Sequence, residues 1–280
     1  MYKKLVLTAL FAIFMIPTML SPVLAATQDS TGVNLTIQSI SPEVYFVEAI
    51  AAQDPVDGNT TTVTFEVRIR DNNTYSDISS VNATFFKTGE TNRTDASCTF
   101  SSQLSATTAN YSCSVDMLYY DLDGFWNVSV VSEDADSNTD TNDSISFTYN
   151  QLSAMRMSPN NITFGSLSPG QTGVGATDDP IVLNNTGNQN FTQINTTALD
   201  LNGVTNSTEY IPAGNFSMNV ADSSGGDSLA NNTAVTLTSG TLPRGATSTE
   251  DIYFYLEEVP TVQAQVYNTA ALGVWTIQVS

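Results

Sequence analysis

Between residues 62 and 70 the chain reads Thr-Val-Thr-Phe-Glu-Val-Arg-Ile-Arg, with polar and apolar residues in strict alternation. Successive side chains of a strand leave on opposite faces, so a period of two gives one apolar and one polar face. A helix would scatter the same apolar residues around its circumference. The rhythm returns at residues 144–149 and again at 251–257, where Tyr253 and Tyr255 take the outer phase. Turn-forming stretches such as residues 54–58 and 185–188 separate the runs. Short alternating segments punctuated in this way predict an all-β chain made of sandwiches.

The pattern breaks near residue 150. Residues 26–150 contain about seven strand candidates, enough for one sandwich. From Met155 it restarts, with candidates at 161–164, 181–183, 191–201, 216–220, 234–238, 251–256 and 275–279. Two sandwiches in tandem, 26–150 and 151–280, are therefore expected, and the short connection between them suggests a stiff pair. The alternating segment 33–40 reads as the first strand of its own domain or as a strand donated to another copy. Residues 1–25 have the order of a secretory signal: Lys3 and Lys4, an apolar run, helix-breaking Pro17 and Pro22, then Val23-Leu24-Ala25. The competing reading, a retained anchor, needs roughly 20 continuous apolar residues. With no second hydrophobic span, an exported chain without a direct transmembrane anchor is expected.

Charge and residue usage exclude several functions. The formal charge is -20. Past the signal, the cations are Arg68, Arg70, Lys87, Arg93, Arg156 and Arg244. Such a surface repels phosphate backbones, so nucleic acid is not an expected partner. The chain has no histidine, which removes Ser-His-Asp and Cys-His catalysis and His-ligated metals. Lys87 stands at a strand end before a turn, a poor setting for an amine nucleophile. Carboxylate pairs suited to glycoside hydrolysis are not denied by sequence, but acids in turns are ordinarily just solvated. The expectation is a non-enzymatic protein.

The sequon Asn-x-Ser/Thr recurs about fifteen times, at Asn34, Asn59, Asn72, Asn82, Asn92, Asn110, Asn127, Asn142, Asn161, Asn184, Asn190, Asn195, Asn206, Asn215 and Asn231. Asn82, Asn110, Asn127, Asn161 and Asn215 fall opposite the apolar phase, which predicts solvent-facing acceptors for N-glycosylation. The alternative is asparagine as polar filler on an outer face. Cys98 and Cys113, the two cysteines, read as one disulfide between neighbouring strands of an exported chain. Hard oxygen donors alternate at Asp134, Asp136, Asn138 and Asp140, with a second group at Asp71, Asn73 and Asp77. Such donors suit calcium; a solvated loop without metal is the competing reading.

Residues 119–130, Tyr-Tyr-Asp-Leu-Asp-Gly-Phe-Trp-Asn-Val-Ser-Val, resemble the E–F corner and F strand of immunoglobulin-like and PKD-like modules, with Trp126 in the place of the corner aromatic. Residues 70–78 look like the B–C turn of such modules in archaeal surface glycoproteins. Asn185-Thr186-Gly187-Asn188 resembles a hairpin of CARDB-like sandwiches. The resemblance implies fold, not activity, and Val128 stands where the second cysteine of an antibody domain would be. The acidic surface, the sequon density and the tandem sandwiches fit a structural or adhesive component of a glycosylated cell surface, archaeal by that resemblance, with other surface proteins or further copies of itself as expected partners. A filament or surface-layer subunit, or a module binding sugars or peptides through aromatics such as Tyr253 and Tyr255, are the alternatives.

Overall fold

The structure, a computed structural model, describes residues 31–280. The expected signal peptide over 1–25 lies outside the described residues. The chain divides into two units, Met1–Gln38 and Ser39–Ser280. In the first, residues 31–38 form no strand. Segment 33–40 is thus not the first strand of the fold, which begins instead at Glu43.

The larger unit is all-β; among the described residues there is no α-helix. Its first half comprises β1 (Glu43–Val47), β2 (Thr60–Arg70), β3 (Ile78–Phe86), β4 (Arg93–Asp95), β5 (Thr99–Gln103), β6 (Thr108–Leu118), β7 (Gly124–Asp134) and β8 (Thr139–Tyr149). They form two antiparallel four-stranded sheets, β1-β2-β6-β5 and β4-β3-β7-β8. The alternation in β2 does what its period requires: Val63, Phe65, Val67 and Ile69 are buried, and Thr62, Thr64 and Glu66 are exposed. Opposite them stand Ala83, Phe85, Val128 and Val130, also buried. The Phe85 ring lies 4.8 Å from that of Phe147 and 5.7 Å from that of Phe65. Each such side chain, withdrawn from water, contributes roughly 1.5–3 kcal/mol. Trp126 is fully buried, and its indole Nε1 donates to the carbonyl of Leu122 at 2.8 Å, so its one polar atom is satisfied.

Between β4 and β5 the chain changes sheets. Cys98 sits at that crossing, its backbone N–H donating to Val81 of β3 at 2.8 Å. Its side chain is bonded to Cys113 of β6, with Cα atoms 4.4 Å apart. The bridge therefore continues the β5–β6 hairpin, in which Thr99 pairs with Ser112, and also pins the sheet-changing segment.

The second half comprises β9 (Met155–Ser158), β10 (Thr172–Gly175), β11 (Ile181–Asn185), β12 (Ile194–Thr197), β13 (Leu201–Gly203), β14 (Tyr210–Ile211), β15 (Phe216–Asn219), β16 (Asp227–Ser228), β17 (Ala234–Thr236), β18 (Thr249–Glu258), β19 (Tyr267–Asn268) and β20 (Thr276–Val279). The long β18 is central, pairing with β15 on one side and with β10 and β11 on the other; β9 closes that sheet as an edge. Two three-stranded sheets, β17-β12-β20 and β14-β13-β19, complete this half. A separate apolar core contains Leu183, Ile194, Phe216, Met218, Ile252 and Phe254. Trp275 packs edge-on to Phe216 with centroids 5.3 Å apart, and its Nε1 donates to the Leu199 carbonyl at 2.8 Å.

One expectation fails here. Residues 161–164 form no strand, although Ile162 and Phe164 are half-buried against the core. Alternation reports which face each side chain takes, not whether a neighbour lies within ladder distance. Residues 185–188 do bend the chain as it leaves β11, but away from solvent: Asn185, Thr186 and Asn188 are buried. The Asn185 amide donates to the carbonyls of Gln189, Leu242 and Pro243 at 2.7, 3.1 and 3.0 Å, and Asn188 bonds Leu152 N–H and the Asn150 carbonyl. These bonds are what permit the two asparagine amides to sit there. A Cβ added at Gly187 would lie 2.2 Å from the Leu152 carbonyl oxygen, so only glycine admits this approach.

Bonds also tie the two halves together. Gly58 N–H donates to the Thr186 carbonyl at 2.9 Å, and Arg156 pairs with Asp57 at 3.0 Å. Arg244 pairs with the carboxylate of Glu90 and donates to the Tyr120 carbonyl at 2.9 Å.

Candidate functional site

Three elements meet at one end of the first half's two sheets. Asp71 follows the last residue of β2, Asp77 ends the short 3-10 turn Tyr75–Asp77 that leads into β3, and Asp134 is the last residue of β7. One carboxylate oxygen from each lies within 4.8 Å of the others. Asp71 is 0% exposed and Asp134 1%. Asp71 Oδ1 accepts from Asn73 N–H at 2.8 Å, while its buried Oδ2 has no hydrogen-bond partner. Asp134 is held in place by four bonds: Oδ1 accepts from the N–H groups of Asp136 and Asn138, and Oδ2 from Asn138 Nδ2 at 2.8 Å and Ser39 Oγ at 3.0 Å. No arginine or lysine pairs with any of the three among the described residues.

The electrostatics follow from this crowding. Loss of solvation pushes the Asp77 carboxyl above its ordinary value, and the charges of Asp71, Asp134 and Asp136 add to the effect. Desolvation acts upward on Asp134 as well, but the hydrogen bonds from Asn138, Ser39 and Asp136 outweigh it and hold the group low.

The two donor groups read from the sequence are thus redistributed. Asp71 and Asp77 of one join Asp134 of the other. Asp136 is exposed, Asn138 caps Asp134, and Asp140 turns toward β1, accepting from Val44 N–H at 2.8 Å. Asn73 donates its backbone N–H to Asp71 and accepts from Ile40 N–H at 2.9 Å through Oδ1.

A second feature was not legible in the sequence. The second half carries an open cleft of about 1000 Å³, lined by Ile162, Phe164, Leu167, Val266, Trp275 and Ile277 among others, with no charged residue in its wall. It is flanked by β9 and β20, each the edge of its sheet. The nearest hint was the alternation of Ile162 and Phe164, whose side chains no ladder closes over.

Of the sequon acceptors, Asn34, Asn59, Asn72, Asn92, Asn127, Asn161, Asn190 and Asn231 are exposed. Asn82, Asn142, Asn184, Asn195, Asn206 and Asn215 are half-buried. Asn110 departs from expectation: it lies on the outer face of β6 but is only 6% exposed, in register between Arg68 of β2 and Ser102 of β5. Phase placed it on the correct face, but its cross-strand neighbours cover it. Tyr255 departs too, since it is buried and its hydroxyl donates to Asp222. The β10 strand, paired across it at Gly175, covers what the alternation marked as an outer position. Tyr253 is half-buried.

Among the described residues no helix is long and apolar enough to cross a membrane. No family model matches this chain, and no curated protein does. Among solved structures, the secreted serine protease VesC from Vibrio cholerae is matched at 9% identity with a TM-score of 0.23, over 86% of this chain and 51% of that one. The match spans about half that protease's length, and a superposition this loose fixes neither fold nor chemistry.

Proposed function

We propose that this chain is an exported, N-glycosylated, non-catalytic structural subunit of a cell exterior, built of two immunoglobulin-like sandwiches, and that copies join by strand donation. The observation carrying this reading is a pair of unmatched surfaces. Val33, Leu35 and Ile37 share one phase of segment 33–40 and are 87%, 82% and 78% exposed. Large apolar side chains this bare, repeated at a strand's period, are unusual unless something covers them. The cleft between β9 and β20 offers an apolar floor and two edge strands with unpaired backbone groups. Eight extended residues span about 26 Å, so the segment presents several side chains to such a trough.

Charge argues for a second copy as the occupant. The chain's formal charge is -20, yet residues 30–42 carry no charge and neither does the cleft wall. A charged segment would lose solvation and gain no ion pair from a wall without charge. The neutral segment of another copy suits it, and the disulfide fits an exported chain. A structural or adhesive role without polymerisation is the competing reading.

The test uses the protein recovered from its native envelope, imaged by electron microscopy beside a variant lacking residues 33–40. Filaments or sheets formed by the full mature chain and lost in the variant support donation. Assembly indifferent to the deletion overturns it. A dispersed monomer in the culture medium overturns the structural role altogether.

A further inference from the structure

The geometry points to a calcium site at the end of the first sandwich, held by Asp71, Asp77 and Asp134. Three buried or half-buried carboxylates within 4.8 Å of one another, with no basic side chain paired to them among the described residues, are costly as they stand. The decisive detail is Asp71 Oδ2. It belongs to a side chain that is 0% exposed and has no hydrogen-bond partner, while the other oxygen of the same carboxylate is bonded at 2.8 Å. An acceptor left open in such a place needs a donor or a cation. The neighbouring Asp carboxylates supply negative charge rather than a proton, which favours the cation.

Calcium fits by size and by ligand type. Calcium–oxygen distances are about 2.3–2.6 Å, so ligand oxygens around one ion lie at most roughly 4.6–5.2 Å apart, a limit that oxygens within 4.8 Å of one another respect. All three ligands are hard oxygen donors, and Ser39 Oγ already stands 3.0 Å from Asp134 Oδ2 at the rim. Magnesium demands a tighter octahedron at about 2.1 Å. Bound there, the ion would hold together the ends of β2 and β7 and the start of β3. Its place is set by Asp71, Asp77 and Asp134, and not by the contiguous run from Asp134 to Asp140.

The experiment titrates calcium chloride into the EDTA-stripped mature chain by calorimetry and follows thermal unfolding in parallel. The expected affinity is that of extracellular modules, on the order of 10⁻⁴–10⁻³ M, with the unfolding midpoint rising as calcium is added. Magnesium chloride at equal concentration should give less than a tenth of the affinity. Asp71→Asn should unfold at a higher temperature than the parent chain in EDTA, because one buried charge is gone, and should no longer respond to calcium. Asp77→Asn, at a less buried position, should lose at least tenfold in affinity and covers the case in which the Asp71 variant does not fold. Asp143→Asn, exposed and outside the cluster, should bind as the parent does. Absence of binding at about 10 mM calcium, or unchanged affinity in Asp77→Asn, overturns the proposal.

Discussion

Asp121 provides the sharpest test of how the first half of the fold is held. It is 0% exposed, yet three donors converge on its carboxylate. Arg93 donates Nε to Oδ2 at 2.9 Å and Nη2 to Oδ1 at 2.5 Å, and Leu118 N–H donates to Oδ2 at 2.7 Å. The first two bonds tie β4 to the turn before β7, and the third closes that turn on the end of β6. Asp121→Ala removes all three and leaves a half-buried guanidinium and a backbone N–H without their acceptor. Stranding one member of a buried pair costs about 3–5 kcal/mol. Asp121→Asn keeps the shape and one acceptor, so its loss should be smaller. The control is Glu43→Ala, which breaks the exposed Arg70–Glu43 pair and should cost about 0–1 kcal/mol. Urea unfolding followed by Trp fluorescence gives all three values. If Asp121→Ala loses no more than Glu43→Ala, the carboxylate is not the fastener described here.

Replacing Cys98 and Cys113 together by Ala reopens a loop of sequence separation 15 and should cost about 3 kcal/mol in urea unfolding; a loss under about 1 kcal/mol would show that the sheet crossing is fixed without the bridge. Asp179 should make stability depend on pH, because burial raises its carboxyl to about 6 despite the hydrogen bond from Phe254 N–H. The native state then keeps its proton longer than the unfolded chain, so stability is fullest below about pH 4 and declines as pH rises through about 6. Asp179→Asn should therefore exceed the parent above that pH by roughly 1–3 kcal/mol, after allowance for partial exposure, and an unchanged pH profile would refute this. Glycopeptide mass mapping of the native protein should find exposed Asn127 occupied and buried Asn110 bare; a fully occupied Asn110 would mean that the sugar is added before β6 is covered.

What sequence determined here is what one strand can report about itself. The period of two in β2, β7 and β8 fixed the class and named the core residues Phe65, Val67, Trp126, Val128 and Phe147, because alternation decides which face each side chain takes. Two cysteines in an all-β chain sufficed for the bridge. The restart of the pattern near residue 150 coincides with the change from one apolar core to the other. Tertiary structure decided whatever depends on a second strand lying alongside. Asn110 and Tyr255 have the outward phase that the sequence shows, yet both are covered by paired neighbours, and phase carries no information about them. Ile162 and Phe164 alternate without joining a ladder, since hydrogen bonding needs an edge within reach. The same reason separates the two acidic groups in the sequence from the one cluster in space. Asp71, Asp77 and Asp134 are brought together only because β2, β3 and β7 end at the same end of a sandwich.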